Sequence, residues 1–297
     1  MSDLNVSVVV AVKNEEKYVQ SAMLSILKQQ GLIFELIVVD DGSEDETYNI
    51  LCSLAAEHTN MRLLKNPKAG KCSAFNYGVS HAAGRFTCIY AGDDLMPEGS
   101  LAARFAMVSG FGEADAVVGL CKLITLSENK KFDGHLVPKR AGQGGLTGVS
   151  YMMSQQVVSK IFPVPEILPN EDTWMELAVT HFVEWNIVHS DIVGCMWRVH
   201  SGNSINMLVD FPAYNKKLTP RMAAIGLFYE RHSSELSENS RDELYQKVKC
   251  ETSRSRGDIV GILLSKTSLI NRLRALSACN SFFYNLRKKL YGLLSGW

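Results

Sequence analysis

The sequence has no surplus of charge of either sign: 31 Lys plus Arg stand against 31 Asp plus Glu in 297 residues. A nucleic-acid binder neutralises phosphates with excess cations, so the balance argues against such a partner. Only 8 Pro and 22 Gly are present, which excludes a collagen-like chain and long disorder. The seven cysteines (Cys52, Cys72, Cys88, Cys121, Cys195, Cys250, Cys279) form no C-x-x-C pair. They read as buried, reduced thiols of a cytoplasmic protein without structural zinc. No apolar run reaches the roughly 18 to 20 residues that span a bilayer, and the first residues lack the basic and apolar segments of a signal peptide. G-x-G-x-x-G after the first strand, a Walker loop, G-x-S-x-G and H-E-x-x-H are all missing. Hydride transfer, ATP hydrolysis, serine hydrolysis and zinc proteolysis therefore lose their usual signatures.

What is present can build a large core, since 46% of the residues are hydrophobic. Val6–Val12 is a continuous β-branched apolar run, the mark of a strand covered on both faces. Val19, Met23, Ile26 and Leu27 then recur at helical spacing and predict a helix over residues 15–30, stopped by Gly31. Strands at 34–39, 61–64 and 86–91 alternate with helices at 45–57 and 71–82, the pattern of βαβ units and a mostly parallel sheet. A strand at 116–126 precedes a Gly-rich stretch (Gly142, Gly144, Gly145, Gly148) that reads as a mobile loop. A helix at 151–160, a Pro-rich turn, a helix at 172–184 and a strand at 187–197 follow, and beyond about Ser204 only helical patterns remain. Charge divides along the same line: residues 1–200 carry 16 basic and 23 acidic groups, whereas residues 201–297 carry 15 and 8.

Ligands of open α/β sheets bind beyond the carboxyl ends of the strands. Three such ends are polar: Lys13-Asn14-Glu15, Asp40-Asp41-Gly42-Ser43 and Gly92-Asp93-Asp94. Asp41 has two readings, a turn residue before a helix or an acceptor for a base or ribose. Asp93 and Asp94 repel each other at the end of a buried strand, and a hard cation would relieve that repulsion. A helix start before Pro97 is the alternative. Glu171 and Asp172 open a helix, where the macrodipole favours acids; behind the Gly-rich and Pro-rich segments, a carboxylate there can also take a proton from a hydroxyl. Arg198 and His200 alternate at the last strand end and so share a face suited to a diphosphate.

The segments VSVVVAVKNEE, ELIVVDDGSEDET, GKCSAFNYGVSHAAGRFTCIYAGDD, NEDTWMEL and WRVHSGNSI, in this order, closely resemble the family 2 glycosyltransferases of the GT-A fold. The resemblance implies an α/β fold: a Rossmann-like, mostly parallel sheet flanked by helices over residues 1–205, then a mainly helical region over 206–297. It implies an enzyme that moves one sugar, with inversion, from a nucleotide diphosphate sugar such as a UDP-sugar to an acceptor hydroxyl. The setting would be polysaccharide, lipopolysaccharide or glycolipid synthesis, with Mn²⁺ or Mg²⁺ as cofactor and a glycan or lipid-linked glycan as acceptor. Residue by residue, Ala11, Lys13, Glu15 and Asp41 match the nucleoside pocket, and Lys71 matches a basic position near the nucleotide. Asp93, with Asp94 beside it, matches the metal-binding acidic motif, Asp172 the catalytic base, and His200 the position that helps hold metal or diphosphate. Ala91 stands where many members carry the first acid of Asp-x-Asp, and Ala11 and Lys13 stand where Pro and Tyr are common. A non-catalytic nucleotide-sugar-binding scaffold is the alternative that Ala91 raises. A sugar nucleotidyltransferase is a second, although its Gly-rich basic loop after the first strand is missing.

Residues 259–297 contain six Lys or Arg and no acid. Leu269, Leu273, Leu276, Phe283, Leu286, Leu290 and Leu293 read as one helical stripe beside those cations. Such a stretch suits an anionic membrane surface on the cytoplasmic side; the alternative is packing on the chain's own catalytic domain or on another subunit of a homo-oligomer.

Overall fold

The computed structural model describes residues 4–199 and 209–294. His200 and the SGNSI turn lie outside the described residues, as do the side chains of Leu290 and Leu293. The chain divides into two compact units, residues 1–179 with 184–199, and residues 180–183 with 200–297.

The first unit is α/β. Its strands β1 (Val6–Val12), β2 (Phe34–Asp40), β3 (Met61–Lys65), β4 (Phe86–Ala91), β5 (Val117–Leu126), β6 (Leu136–Val137), β7 (Tyr151–Ser154) and β8 (Asn186–Arg198) form one sheet. The order is β3-β2-β1-β4-β7-β5-β6, with β8 also pairing β5. β1 pairs in parallel with β2 and β4, β2 with β3, and β5 with β8. β7 runs antiparallel to β4 and β5, and β6 antiparallel to β5.

Alternation along the strands explains the layers. Val6, Val8, Val10 and Val12 of β1, with Leu36 and Val38 of β2 and Cys88 and Tyr90 of β4, meet Val19, Met23 and Ile26 of α1 (Val19–Leu27). The same core holds Leu51 and Leu54 of α2 (Thr47–Glu57) and Leu101 of α4 (Ser100–Ala106). The opposite face carries α3 (Lys71–Ser80), where Gly78 approaches so closely that a Cβ would stand 2.9 Å from Val39 Cγ2. Two short helices follow along the chain, α5 (Gln155–Ile161) and α6 (Asp172–His181), the last two residues of α6 being counted with the second unit.

Three segments depart from the sequence expectation. α1 begins at Val19 rather than residue 15, because Asn14 adopts a left-handed φ of 55° and the amides of Glu15 and Glu16 are donated to Thr47 Oγ1 and Asp45 Oδ2. The predicted helix at 151–160 is strand β7 followed by α5. The Gly-rich stretch is tied to the sheet: Gly145 N donates to Cys121 O, Gly144 N to His189 Nδ1, and Gly142 N to Asp191. A Cβ on Gly144 would lie 2.3 Å from Leu120 O, so only glycine lets the chain pass there.

The second unit is helical: α7 (Phe211–His232), α8 (Glu238–Ser255), α9 (Ile259–Leu264), α10 (Leu269–Leu276) and α11 (Ser281–Leu294). Side chains of Asp210, Ser237, Asp258 and Ser268 cap the first four of these by accepting the exposed amides. The break at residues 277–280 divides the predicted continuous stripe between α10 and α11. Among the described residues no helix is long and apolar enough to cross a membrane. All seven cysteines are free, six buried and Cys52 exposed.

His181 is buried in the second unit, with Lys247 Nζ 3.1 Å from its Nε2. Burial first, then the Lys247 charge, lower its pKa to about 4 against the opposing pull of Glu243. The unfolded chain therefore takes up this proton first as pH falls, so stability is full above the unfolded value near 6.5 and is lost toward 4. The expected loss is about 2 kcal/mol after allowance for solvent screening. Urea denaturation at pH 7 and pH 4.5 should show it, and His181→Gln should flatten the difference; equal wild-type and variant slopes against pH would contradict the assignment.

Candidate functional site

Register brings the three polar strand ends together. Val12 pairs with Asp40, and Ala11 pairs with both Val39 and Ala91. The loops beyond them are stitched: Asn14 N donates to Ser43 Oγ (3.0 Å) and Glu44 N to Asn14 Oδ1 (2.8 Å). Of the two aspartates after β2, Asp40 is buried and makes the turn, accepting from the amides of Gly42 and Ser43. Asp41 reaches instead to the start of α3, where its Oδ1 accepts from Asn66 Nδ2 (2.6 Å) and Gly70 N (2.8 Å). Lys13 is exposed on the loop after β1, and Ala11 is half-buried at the strand end.

Beyond β4 the two carboxylates have different surroundings. Asp94 is buried and its Oδ1 accepts from Arg198 N (2.8 Å), which joins the end of β4 to the end of β8. Burial, then the Asp93 charge, push Asp94 up to about 7, while Lys71 pulls the other way. Asp93 is half-buried, and its carbonyl accepts from Arg198 Nε (2.8 Å). The Arg198 guanidinium lies over the Tyr18 ring, 4.3 Å from its centre. Burial and the carboxylates of Asp93 and Asp45 push Glu15 up to about 7 as well. Glu15, Asp93, Asp94 and Arg198 thus share one crowded, acidic edge.

Lys71, the first residue of α3, connects this edge to the Asp172 helix. Its Nζ stands 3.1 Å from Glu171 Oε1. Glu171 is buried and its Oε2 has no hydrogen-bond partner; burial, opposed by Lys71, raises its pKa. Asp172 follows in the first turn of α6, with Gly148 N donating to its Oδ1 (3.0 Å) and Asn170 Nδ2 to its Oδ2 (2.9 Å). A Cβ on Gly148 would lie 3.1 Å from Asp172 Oδ1 and 3.3 Å from Glu171 Oε1. The Pro-rich turn is fixed to α3 as well, since Asn76 exchanges two 2.8 Å hydrogen bonds with the Val164 backbone.

Glu15, Asp93, Asp94, Lys71 and Asp172 are therefore linked through short contacts or felt charges, and Asp41 holds the start of the helix that carries Lys71. His200 is outside the described residues. Among the described residues no group of three His, Cys, Asp or Glu is arranged to hold a metal ion. Glu171, singled out only together with Asp172, proves to be the partner of Lys71. Gly148, Asn66 and Tyr18 were missed as participants, because they act through contacts distant in sequence. A cleft of about 380 Å³ opens along the same sheet edge, lined by Asp40, Ser43, Asp45, Tyr48, Lys65 and Asn66. None of the predicted site residues lines it.

Comparison with known proteins finds the same architecture and sequence pattern. S. aureus TarS 1-349 in complex with UDP-GlcNAc superposes with a TM-score of 0.61 at 19% identity, covering 95% of this chain and 84% of that one, and shows the fold. Glycosyltransferase GlyG of Streptococcus pneumoniae is 35% identical over 120 residues, 40% of this chain and 39% of that protein. The UDP-Glc:alpha-D-GlcNAc-diphosphoundecaprenol beta-1,3-glucosyltransferase WfgD of Escherichia coli is 31% identical over 110 residues, 36% of this chain and 42% of that protein. The match thus spans about two fifths of these two relatives. The sequence model of glycosyl transferase family 2 matches residues 7–150, a span that runs from β1 through Gly148 and takes in both strand-end acidic pairs and Lys71. Residues 7–150 thus carry the sequence pattern of glycosyl transferase family 2.

Proposed function

We propose that the chain is an inverting glycosyltransferase that moves one sugar from a UDP-sugar to the hydroxyl of a glycan or lipid-linked glycan in polysaccharide or glycolipid synthesis. Residues 1–205 would form its catalytic part. The observation that carries the reading is the 3.1 Å ion pair between Lys71 and Glu171, because it sets the helix start bearing Asp172 against the residue expected beside the nucleotide. The E. coli relative's name, which gives UDP-Glc as donor and a diphosphoundecaprenol-linked sugar as acceptor, supports the donor and acceptor classes.

In this reading Ala11, Lys13, Glu15 and Asp41 surround the nucleoside, and the Lys71 ammonium faces the diphosphate. Asp93 suits Mn²⁺ or Mg²⁺: it offers hard oxygen donors beside a second carboxyl whose repulsion a cation would relieve. His200 would be a further ligand to the metal or the diphosphate, while Asp94 ties the end of β4 to Arg198 N. The cation, when bound, neutralises charge that develops on the leaving diphosphate.

Asp172 takes the proton from the acceptor hydroxyl. The acceptor oxygen then bonds to the anomeric carbon on the face opposite the diphosphate, and the breaking C–O bond leaves its electron pair on UDP. One displacement inverts the centre, so a single carboxylate suffices. Gly148 N and Asn170 Nδ2 hold the two oxygens of Asp172 in place.

Gly148→Ala tests this positioning. The added methyl crowds Asp172 Oδ1 at 3.1 Å and Ile89 Cδ1 at 3.0 Å, and a displacement of order 1 Å at a reacting group lowers turnover by about 100-fold. UDP affinity should change little; unchanged turnover would remove Gly148 from the site. The broader test is thermal stabilisation by UDP, UDP-Glc and UDP-GlcNAc with and without Mn²⁺. Saturable stabilisation by UDP compounds is expected, and its absence with every one of them would overturn the donor assignment.

A further inference from the structure

The second unit turns an apolar surface to solvent. Val260, Leu263 and Leu264 of α9 are 64%, 51% and 76% exposed, and Leu269, Ile270 and Leu273 of α10 are 63%, 63% and 56% exposed. Spacings of i, i+3, i+4 and i, i+1, i+4 put each trio on one helical face. The opposite faces are already satisfied, since Ile262 and Ala275 enter a small core with Cys250 and Cys279. The helices are joined where Arg272 Nη1 donates to Leu263 O (3.2 Å). Six large aliphatic side chains on two joined helices exceed the scattered exposure usual for a soluble surface.

Within residues 259–297 the charge has one sign. Lys266 and Arg274 are exposed, Arg272 is half-buried, and residues 259–297 contain no Asp or Glu. We propose that the α9–α10 face docks on an anionic lipid bilayer, with the aliphatic side chains entering the interface and the cations meeting lipid phosphates. A second copy of the chain is the weaker occupant, because pairing this face with itself opposes cations to cations with no carboxylate from the segment to meet them. With six and eight residues, α9 and α10 are too short to span a bilayer and would lie along its surface. This inference stands whether or not the first unit is a transferase.

The test is flotation of the full chain with vesicles of phosphatidylcholine alone or mixed with phosphatidylglycerol. Binding is expected only to the anionic vesicles and should weaken when salt rises from about 0.1 to about 0.5 M. The triple variant Leu269→Ser, Ile270→Ser, Leu273→Ser should bind at least about tenfold more weakly. The charge variant Lys266→Glu, Arg274→Glu should lose most binding, since each cation contributes about fivefold near such a surface. All five positions are exposed, so both variants should keep the wild-type melting curve. Equal binding to neutral vesicles, no binding by the wild type, or a dimer on gel filtration that the triple variant dissociates without any vesicle binding would each overturn the proposal.

Discussion

Asp172→Asn is expected to lower transfer about 1,000-fold or more, the scale of a lost general base, while leaving UDP affinity within about twofold of the wild type. The side chain keeps its shape, and the new carbonyl can still accept from Gly148 N. The amide nitrogen that replaces Oδ2 would face Asn170 Nδ2, now donor against donor. A rotation of the Asn170 amide restores that contact, so folding should survive. What the amide cannot do is accept and keep the acceptor's proton. UDP release from UDP-Glc and UDP-GlcNAc in the presence of lipid-linked glycan measures the first effect, and calorimetric titration of UDP measures the second. Turnover within about tenfold of the wild type would remove Asp172 from the role of base.

Asp93→Ala should separate binding from folding. Loss of outer partners alone costs about 10- to 100-fold in metal affinity, so loss of the carboxylate proposed as ligand should weaken Mn²⁺-dependent UDP binding at least about 100-fold. Asp94 cannot take over, because it is buried and committed to the Arg198 amide. Stability should hold or rise, since Asp93 is among the charges that push both Glu15 and Asp94 up to about 7. Removing it lets both ionise more readily, which relieves like-charge repulsion in the folded state. A melting temperature at or above the wild type, together with UDP binding that no longer responds to Mn²⁺, is the expected pair. Equal Mn²⁺ dependence in the two proteins would contradict the metal assignment.

The parallel half of the sheet was legible because a strand buried on both faces must be apolar throughout, and Val6–Val12 is. Tyr151–Ser154 was not, because four apolar or small residues beside a helix fit either period. α1 starts late for a reason no local pattern carries: the amides of Glu15 and Glu16, ahead of it, are claimed by Thr47 and Asp45, which lie about 30 residues away. The same distinction holds at the site. The strand-end acids could be found from the rule that ligands gather at the carboxyl edge, and register then brings those ends side by side. The division of labour between Asp40 and Asp41, and between Asp93 and Asp94, depends on which carboxylate is buried and which amides it meets. The Lys71–Glu171 pair joins residues 100 positions apart and had no local signal. In the carboxyl-terminal region the Leu spacing was visible, but residues 277–280 break it between two helices, and its members divide between solvent (Leu269, Leu273, Leu286) and a small core (Leu276, Phe283).

The most direct test of the account is a crystal structure of the full chain with UDP and Mn²⁺. The nucleotide should lie across the ends of β1, β2 and β4, with its base near Asp41, its diphosphate near Lys71 and Mn²⁺ on Asp93. UDP seated instead in the cleft lined by Tyr48 and Lys65, or Mn²⁺ bound away from Asp93, would contradict it.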